Sequence, residues 1–330
     1  MRVLGGAGET SVPADVAATV VTVGTFDGVH LGHRDVLSRL VARSRESGLA
    51  SVLVTFEPHP LEVLNPDAAP QLLTTLEEKI ALIRVTGLDY LAVVPFTAEL
   101  AAYPAARFVD EILRGRFRMR ELLIGHDHGF GRGREGDITL LRELGADRGF
   151  LVDAVAPVQA ADGEPVSSTL IRRAIAEGNL ELACALLGRR YSVRGEVVAG
   201  EARGRLLGFP TLNVDPRAPR KLLPPDGVYA VIVDGSRGRF EGMMNLGGRP
   251  TFGDDRRTLE AHLFDASGDF YGDQVQVVFV ARLRETMRFS GPDALIAQLN
   301  TDAEHARRAL TALVEPGNLS GSTHVPPSTP

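Results

Sequence analysis

A short buried strand that runs through a glycine-rich loop into a helix constrains this chain more than any other feature. Residues 20–23 are a β-branched apolar run typical of a buried strand, and an apolar stripe at helical spacing begins at Val36. Gly24, Gly28 and Gly32 lie between them. Such a junction aims unpaired backbone N–H groups and the positive end of a helix dipole at one point, so it favours an anion.

Two histidines, His30 and His33, fall where this helix should begin. Because they are three residues apart, both rings could converge on one phosphate group. Two histidines near a helix start can equally be ordinary surface residues. The pair alone does not decide between these explanations.

The chain up to about residue 188 alternates between strand and helix patterns, after a lead-in to about residue 17 without periodicity. This alternation predicts a parallel sheet with helices on both faces and ligands at the carboxyl ends of its strands. The predicted strands are 19–23, 51–56, 90–95, 121–124 and 150–155, and the predicted helices are 34–46, 75–86, 105–113 and 139–144.

The pattern changes near Gly188, which is a plausible C-cap for a short helix over residues 180–187. Beyond it, alternating strand-like runs separated by turn residues predict a small antiparallel barrel or sandwich. Pro292 then opens a terminal helix. We therefore expect domains at 1–188 and 189–314, followed by a disordered tail at 315–330 that is rich in Ser, Thr and Pro.

Composition excludes several classes of protein. The net charge of −6 argues against a nucleic-acid-binding protein, because such proteins need a broad basic face for the phosphate backbone. The single cysteine, Cys184, excludes an internal disulfide and a cysteine-based zinc site. With no secretory signal and no apolar run of membrane-spanning length, we expect a cytoplasmic protein whose partners are small molecules and not membranes.

Strings in the first half resemble the motifs of the FMN adenylyltransferases: G-x-F-D-G-x-H-x-G-H, F-x-P-H-P and S-S-T-x-I-R. The resemblance implies a Rossmann-like nucleotidylyltransferase domain in which His30, His33 and Arg172 act on the ATP phosphates. His128 stands where the family usually has Phe. The implied ATP-binding residues are Gly24, Phe26, Asp27, Gly28, His30, His33, Asp127, Ser168, Thr169 and Arg172, with Phe56, Pro58 and His59 in a loop near the flavin.

The second half carries a glycine-rich basic loop followed by Thr211 and Asn213. Alternate residues of a strand share a face, so the Thr211 hydroxyl and the Asn213 carbonyl can reach one hard cation. The string, G-x-x-R-G-R-x-L-G-F-P-T-x-N, resembles the riboflavin kinase signature. That resemblance implies Mg²⁺ on Thr211 and Asn213 and an ATP-binding set of Gly200, Arg203, Gly204, Arg205, Gly208, Pro210, Thr211 and Asn213.

Glu260 is an acid on an otherwise apolar strand, and an exposed face would explain it. The resemblance instead makes it the general base that takes the riboflavin 5′-hydroxyl proton, with His262 on the same face as a weaker candidate. The family's flavin-binding positions correspond to Arg249, Arg288 and Phe289.

Together the motifs resemble the bacterial bifunctional riboflavin kinase/FMN adenylyltransferase family. The resemblance implies conversion of riboflavin to FMN and then to FAD, with ATP as co-substrate and Mg²⁺ as cofactor. One alternative is an active kinase whose first domain is inactive or uses another nucleotide such as CTP, because His128 departs from the pattern. A more distant alternative is a flavin sensor without activity.

Overall fold

The computed structural model describes residues 1–6, 8–125, 130–200, 208–248 and 257–313. The chain divides into two compact units, Met1–Ser168 and Thr169–Pro330. Our expected domain boundary after Gly188 stays a prediction, as does the disordered tail, which lies outside the described residues.

The first unit is built on a parallel sheet with the order β1-β4-β3-β2-β5-β6. Its strands are β1 (Arg2–Leu4), β2 (Thr19–Val23), β3 (Ala50–Glu57), β4 (Tyr90–Pro95), β5 (Met119–Gly125) and β6 (Leu151–Val155). The chain winds from β2 towards β4 on one side and from β5 to β6 on the other. The strand order therefore reverses between β2 and β5, which opens a crevice beyond their carboxyl ends.

Helices cover both faces of this sheet, as the alternating pattern predicted. One face packs Leu37, Leu40 and Ile83 against the sheet, and the other packs Phe108, Ile112 and Leu141. The described helices are α1 (Leu31–Ser47), α2 (Pro60–Leu64), α3 (Leu76–Arg84), α4 (Ala98–Ala101), α5 (Ala105–Arg107, continued as a π-helix over Phe108–Arg116) and α6 (Ile138–Arg148), with 3₁₀ turns at Pro66–Ala68 and Arg132–Arg134.

The start of the chain corrects one expectation. We took residues up to about 17 as an irregular lead-in, whereas Arg2–Leu4 form an edge strand paired in parallel with Tyr90 to Ala92. Three residues are too few to show a period, and only Leu4 of them is buried. Pairing with β4, and not local pattern, makes this strand.

The second unit begins within helix α7 (Ser168–Ala176), continues through α8 (Leu180–Leu187) and then forms a closed antiparallel barrel. The barrel confirms that alternative over the sandwich. Gly188 caps α8 in the left-handed conformation, with φ 66°. Around the barrel the strands follow the order β10-β11-β8-β7-β12-β9. They are β7 (Ser192–Val198), β8 (Leu212–Asp215), β9 (Gly227–Gly235), β10 (Gly238–Gly248), β11 (Arg257–Leu263) and β12 (Gln274–Arg284).

A terminal helix, α9 (Pro292–Thr311), packs on the outside of the barrel, as Pro292 predicted. Its Ala306 and Leu310 join Met243, Phe264 and other barrel residues in one apolar cluster. Asp302 of α9 is fully buried, and its carboxylate accepts a bidentate ion pair from Arg284 at 2.7–3.1 Å. None of the described helices has both the length and the apolar character needed to cross a membrane.

Candidate active sites

The loop between β2 and α1 lies at the carboxyl edge of the first sheet, where the strand order reverses. Phe26 and Val29 have positive φ angles of 48° and 40°, and Gly28 between them has 85°. Side chains other than glycine rarely adopt this conformation, least of all a β-branched one, and it persists only when the surrounding contacts enforce it. This local strain is typical of a functional loop.

The contacts that enforce the loop converge on Asp27, which is only 2% exposed. Its carboxylate accepts hydrogen bonds from the Leu73 and Thr74 backbone N–H groups, both at 2.9 Å, and from the Thr74 hydroxyl at 3.1 Å. The same hydroxyl accepts the Gly28 N–H at 3.0 Å. The Asp27 side chain therefore ties the loop to residues 73–74.

The structure brings the two motif histidines together at the start of α1. His30 is the N-cap, and its Nδ1 accepts the N–H of His33 at 3.3 Å. The two imidazole rings stack with their centroids 3.6 Å apart, and the Phe26 ring lies 4.6 Å from the His33 ring. Both rings thus lie at the positive end of a helix dipole, where a phosphate is stabilised.

Ser168 is the motif residue of the S-S-T-x-I-R string that contacts this loop within the first unit. Its hydroxyl donates to the Asp27 carbonyl at 2.9 Å. Thr169 and Arg172 follow in α7, in the second unit, where Thr169 is exposed and Arg172 is half-buried. Their contribution to the nucleotide site stays a prediction.

The F-x-P-H-P loop follows β3 at the same edge of the sheet, as predicted. His59 is the N-cap of α2: its Nδ1 accepts the Leu61 N–H at 3.2 Å, and its own N–H donates to Glu62 at 3.2 Å. Phe56 is buried against Phe96 and Phe108. The side chain of Phe56 therefore belongs to the core, while His59 is held in a capped turn.

A buried lysine that the sequence did not reveal accompanies these groups. Lys79 of α3 is 6% exposed; burial lowers the pKa of its ammonium, and the charges of Asp27 and Glu57 oppose that shift. Burial likewise raises the pKa of Glu57, which Lys79 counteracts. From sequence, a lysine in a helix is normally expected to be a solvated surface charge. Only the packing of α3 reveals that it balances two acids at this edge of the sheet.

In the second unit, three polar side chains lie side by side across neighbouring barrel strands. Asn213 of β8 is directly opposite Glu260 of β11, and Glu260 is directly opposite Asn245 of β10. Leu259 and Ala261 are buried on the other face of β11. Glu260 therefore lies on the outer face of the barrel, within the same row as Asn213.

The Asn213 side chain has features that suit a cation ligand. Its residue is 8% exposed, and its buried Oδ1 accepts no hydrogen bond from the described residues. Gly200 approaches it so closely that an added Cβ would lie 1.9 Å from the Asn213 Nδ2. A buried amide oxygen without a donor is costly, and a hard cation would satisfy it.

Thr211 immediately precedes β8, and the chain before it is held by His262. The His262 Nδ1 contacts the Pro210 carbonyl at 2.8 Å. The His262 ring also packs against Phe209 and Phe264, with centroids 5.1 and 5.9 Å apart. The weaker candidate base is therefore engaged in a backbone contact.

Fewer contacts define the positions of the other residues predicted for the kinase site. Phe289 lies under the Arg284 guanidinium, 5.8 Å from the ring centroid, whereas Arg288 is exposed. Gly208 adopts a positive φ of 81°, as a tight turn requires. The predicted residues outside the described part of the chain are Asp127, His128, Arg203, Gly204, Arg205 and Arg249.

Comparison with known proteins agrees with this arrangement. A family model described as FAD synthetase matches residues 12–170, and one described as riboflavin kinase matches residues 187–310. A bifunctional riboflavin kinase/FMN adenylyltransferase from Escherichia coli strain K12 is 41% identical over 289 residues, covering 87% of this chain and 91% of that protein. The same bifunctional enzyme from Pseudomonas fluorescens is 41% identical over 294 residues, with 89% and 93% covered.

A solved structure described as a macrolide-efflux protein from Streptococcus pneumoniae shares the architecture, with a TM-score of 0.79 and 31% identity. The match covers 88% of this chain and 94% of the Streptococcus pneumoniae chain. The two matched family domains define an enzyme that joins a nucleotidyltransferase domain to a kinase domain. The chain belongs to the bifunctional riboflavin kinase/FMN adenylyltransferase family.

This membership confirms the predicted fold and both enzymatic activities, and it rules out the sensor without activity. The alternative that the first domain uses another nucleotide depended on His128, which lies outside the described residues.

Proposed function

We propose that this chain makes FAD in two ATP-dependent steps at two separate sites. The kinase step transfers the γ-phosphoryl group of ATP to the riboflavin 5′-hydroxyl and releases ADP. The adenylyltransferase step then joins FMN to the AMP moiety of a second ATP and releases pyrophosphate. The match of two separate family models, FAD synthetase over residues 12–170 and riboflavin kinase over residues 187–310, is the single observation that best supports this assignment.

In the kinase site, Glu260 is the proposed general base. The riboflavin hydroxyl attacks the γ-phosphorus, the bond from that phosphorus to the β,γ-bridging oxygen breaks, and the hydroxyl proton passes to Glu260. Glu260 lies on the outer barrel face next to Asn213, so the base and the proposed cation ligand share one surface. Arg249, Arg288 and Phe289 are the proposed flavin contacts.

The Thr211 hydroxyl and the Asn213 Oδ1 are the proposed ligands for Mg²⁺. The buried and unsatisfied Oδ1 of Asn213 fits a hard cation that prefers oxygen ligands. When bound there, Mg²⁺ would neutralise phosphate charge. The glycine-rich loop that begins near Gly200, with Arg203, Gly204, Arg205, Gly208 and Pro210, is the proposed cover for ATP.

In the adenylyltransferase site, the FMN phosphate oxygen attacks the α-phosphorus of ATP and pyrophosphate leaves. His30 and His33, stacked at the start of α1, are the proposed contacts for the departing phosphates. Arg172 is proposed to stabilise the negative charge of the transition state. Gly24, Phe26, Asp27, Gly28, Asp127, Ser168 and Thr169 complete the proposed nucleotide set, and the loop at Pro58 and His59 is proposed to face the flavin.

We further propose that the protein works in the cytoplasm, and that the functional domains meet near Gly188. The gap between the two matched regions, residues 171–186, supports a boundary in this part of the chain.

Paired variants test the separation of the two sites. Glu260→Gln should abolish FMN formation and leave the conversion of FMN to FAD intact. His30→Asn should do the reverse, and it is a sharp choice because asparagine can still accept the His33 N–H and cap α1. If either variant, still folded, lost both activities, the assignment of separate sites would be wrong.

A further inference from the structure

The kinase site depends on a short segment that the barrel ladder does not hold. The pairing of β8 with β11 extends to Leu212, opposite Ala261. Pro210 and Thr211 lie just before this paired region. Proline also has no N–H with which to join a ladder. The position of Thr211 must therefore be set by something other than the strand pairing.

His262 provides this contact. It lies on the outer face of β11, two residues beyond Glu260, and its Nδ1 is 2.8 Å from the Pro210 carbonyl oxygen. A carbonyl can only accept, so Nδ1 must carry the proton and donate it. One side chain thus connects the strand of the proposed base to the residue directly before Thr211.

The His262 ring is itself held in place. Phe264 and Phe209 both contact it edge-on, with centroid distances of 5.9 and 5.1 Å. Phe264 belongs to the apolar cluster beneath α9, and the partly buried Phe209 packs against that cluster. Met243, which pairs with His262 across the strands, is buried in the same cluster. The imidazole is therefore oriented by the core and not by solvent.

We propose that His262 is a positioning residue for the kinase reaction. By donating Nδ1–H to the Pro210 carbonyl, it fixes the backbone that presents the Thr211 hydroxyl beside the Asn213 Oδ1. This inference depends on the proposed role of Thr211 and Asn213 as cation ligands. It assigns His262 a structural task at the site, in place of the role of a second base.

Two substitutions separate the hydrogen bond from the ring packing. His262→Asn can still place an amide N–H near the position of Nδ1 but loses the ring. His262→Phe keeps an aromatic ring but cannot donate. The measurement is calorimetric binding of ADP with and without Mg²⁺, in the absence of riboflavin, together with KM for ATP in FMN formation.

We expect His262→Phe to lose about tenfold in the Mg²⁺-dependent part of ADP affinity, the upper end of what one lost hydrogen bond contributes. KM for ATP should rise by a similar factor, while His262→Asn stays closer to the wild type. If His262→Asn is the more impaired variant, ring packing matters and the proposal is wrong. Equal binding by His262→Phe and the wild type would also overturn it.

Thr211→Ala distinguishes this proposal from the one on which it rests. If Thr211→Ala binds ADP with the same Mg²⁺ dependence as the wild type, the assignment of the cation ligands fails, and the role of His262 fails with it. If Thr211→Ala is impaired and His262→Phe is not, only the role of His262 fails. Thermal unfolding of each variant reports whether the barrel is intact, and conversion of FMN to FAD in the same preparations reports on the other proposed site.

Discussion

Asp27→Asn is the perturbation that most directly tests how the nucleotide loop of the first unit is held. The carboxylate is buried and accepts three hydrogen bonds from Leu73 and Thr74, at 2.9, 2.9 and 3.1 Å. Asparagine keeps one acceptor oxygen, but its NH₂ group is a donor. That group must face a backbone N–H whose hydrogen bond it cannot accept. The variant therefore loses one bond to a charged group outright and weakens the others.

A hydrogen bond to a charged group contributes about 1.5–3 kcal/mol, and a buried donor left unsatisfied costs about 1–3 kcal/mol. We expect the local opening free energy of the loop to fall by about 3 kcal/mol, which is roughly a 150-fold loss of protection. Hydrogen exchange followed by mass spectrometry, on peptides that cover residues 20–84, measures this quantity. Conversion of FMN to FAD should fall with it, while FMN formation should not change.

Asp67→Asn is the matched control, because Asp67 is an exposed aspartate close to the same segment. Its exchange should equal that of the wild type. If Asp27→Asn also exchanged within about threefold of the wild type, less than 1 kcal/mol, the buried carboxylate would not be holding the loop and the reasoning would be refuted.

Two further predictions concern the other buried contacts. Burial raises the pKa of Glu57 above its usual 4.5 and Lys79 opposes this, so the free energy of unfolding falls as the pH rises from 4.5 through that pKa. Lys79→Met should raise the pKa of Glu57 further, so the free energy of unfolding should keep falling to a higher pH. Thermal unfolding between about pH 4 and pH 8 measures this change. Adding Glu57→Gln should remove it. Gly200→Ala would place its Cβ against the amide of Asn213. Because that amide can move, we expect the free energy of unfolding to change by less than about 1 kcal/mol, whereas the rate of FMN formation should fall at least about tenfold. Formation of FAD from FMN is the control. Normal kinase activity in Gly200→Ala would contradict the proposed role of Asn213.

The elements with long or bounded patterns could be predicted from sequence. The strands at Thr19–Val23 and Tyr90–Pro95 and the helix at Leu180–Leu187 have the predicted bounds, because apolar runs and a glycine cap mark their ends. The edge strand Arg2–Leu4 could not be predicted, since only its partner strand defines it. The predicted helix over 105–113 extends to residue 116 as a π-helix, a change of period that no residue pattern reveals.

The site shows a similar division. The motif strings predict that His30 and His33 lie together at the start of α1, and their rings are stacked there. That Asn213 lies opposite Glu260 is visible only in the register of the barrel strands. The motif strings also do not reveal that the Asp27 side chain points to residues 73–74, that Lys79 is buried near it, or that His262 contacts Pro210. These relations join residues 46 or more positions apart in the chain, so they depend on tertiary packing and not on local pattern.

A time course with the purified chain, riboflavin, ATP and Mg²⁺, with the flavins separated chromatographically, shows whether the two activities act in sequence. Two sites acting in sequence predict that FMN appears first, together with ADP, and that FAD follows together with pyrophosphate. A preparation that leaves riboflavin unchanged, or that does not convert added FMN to FAD, would contradict the two proposed activities.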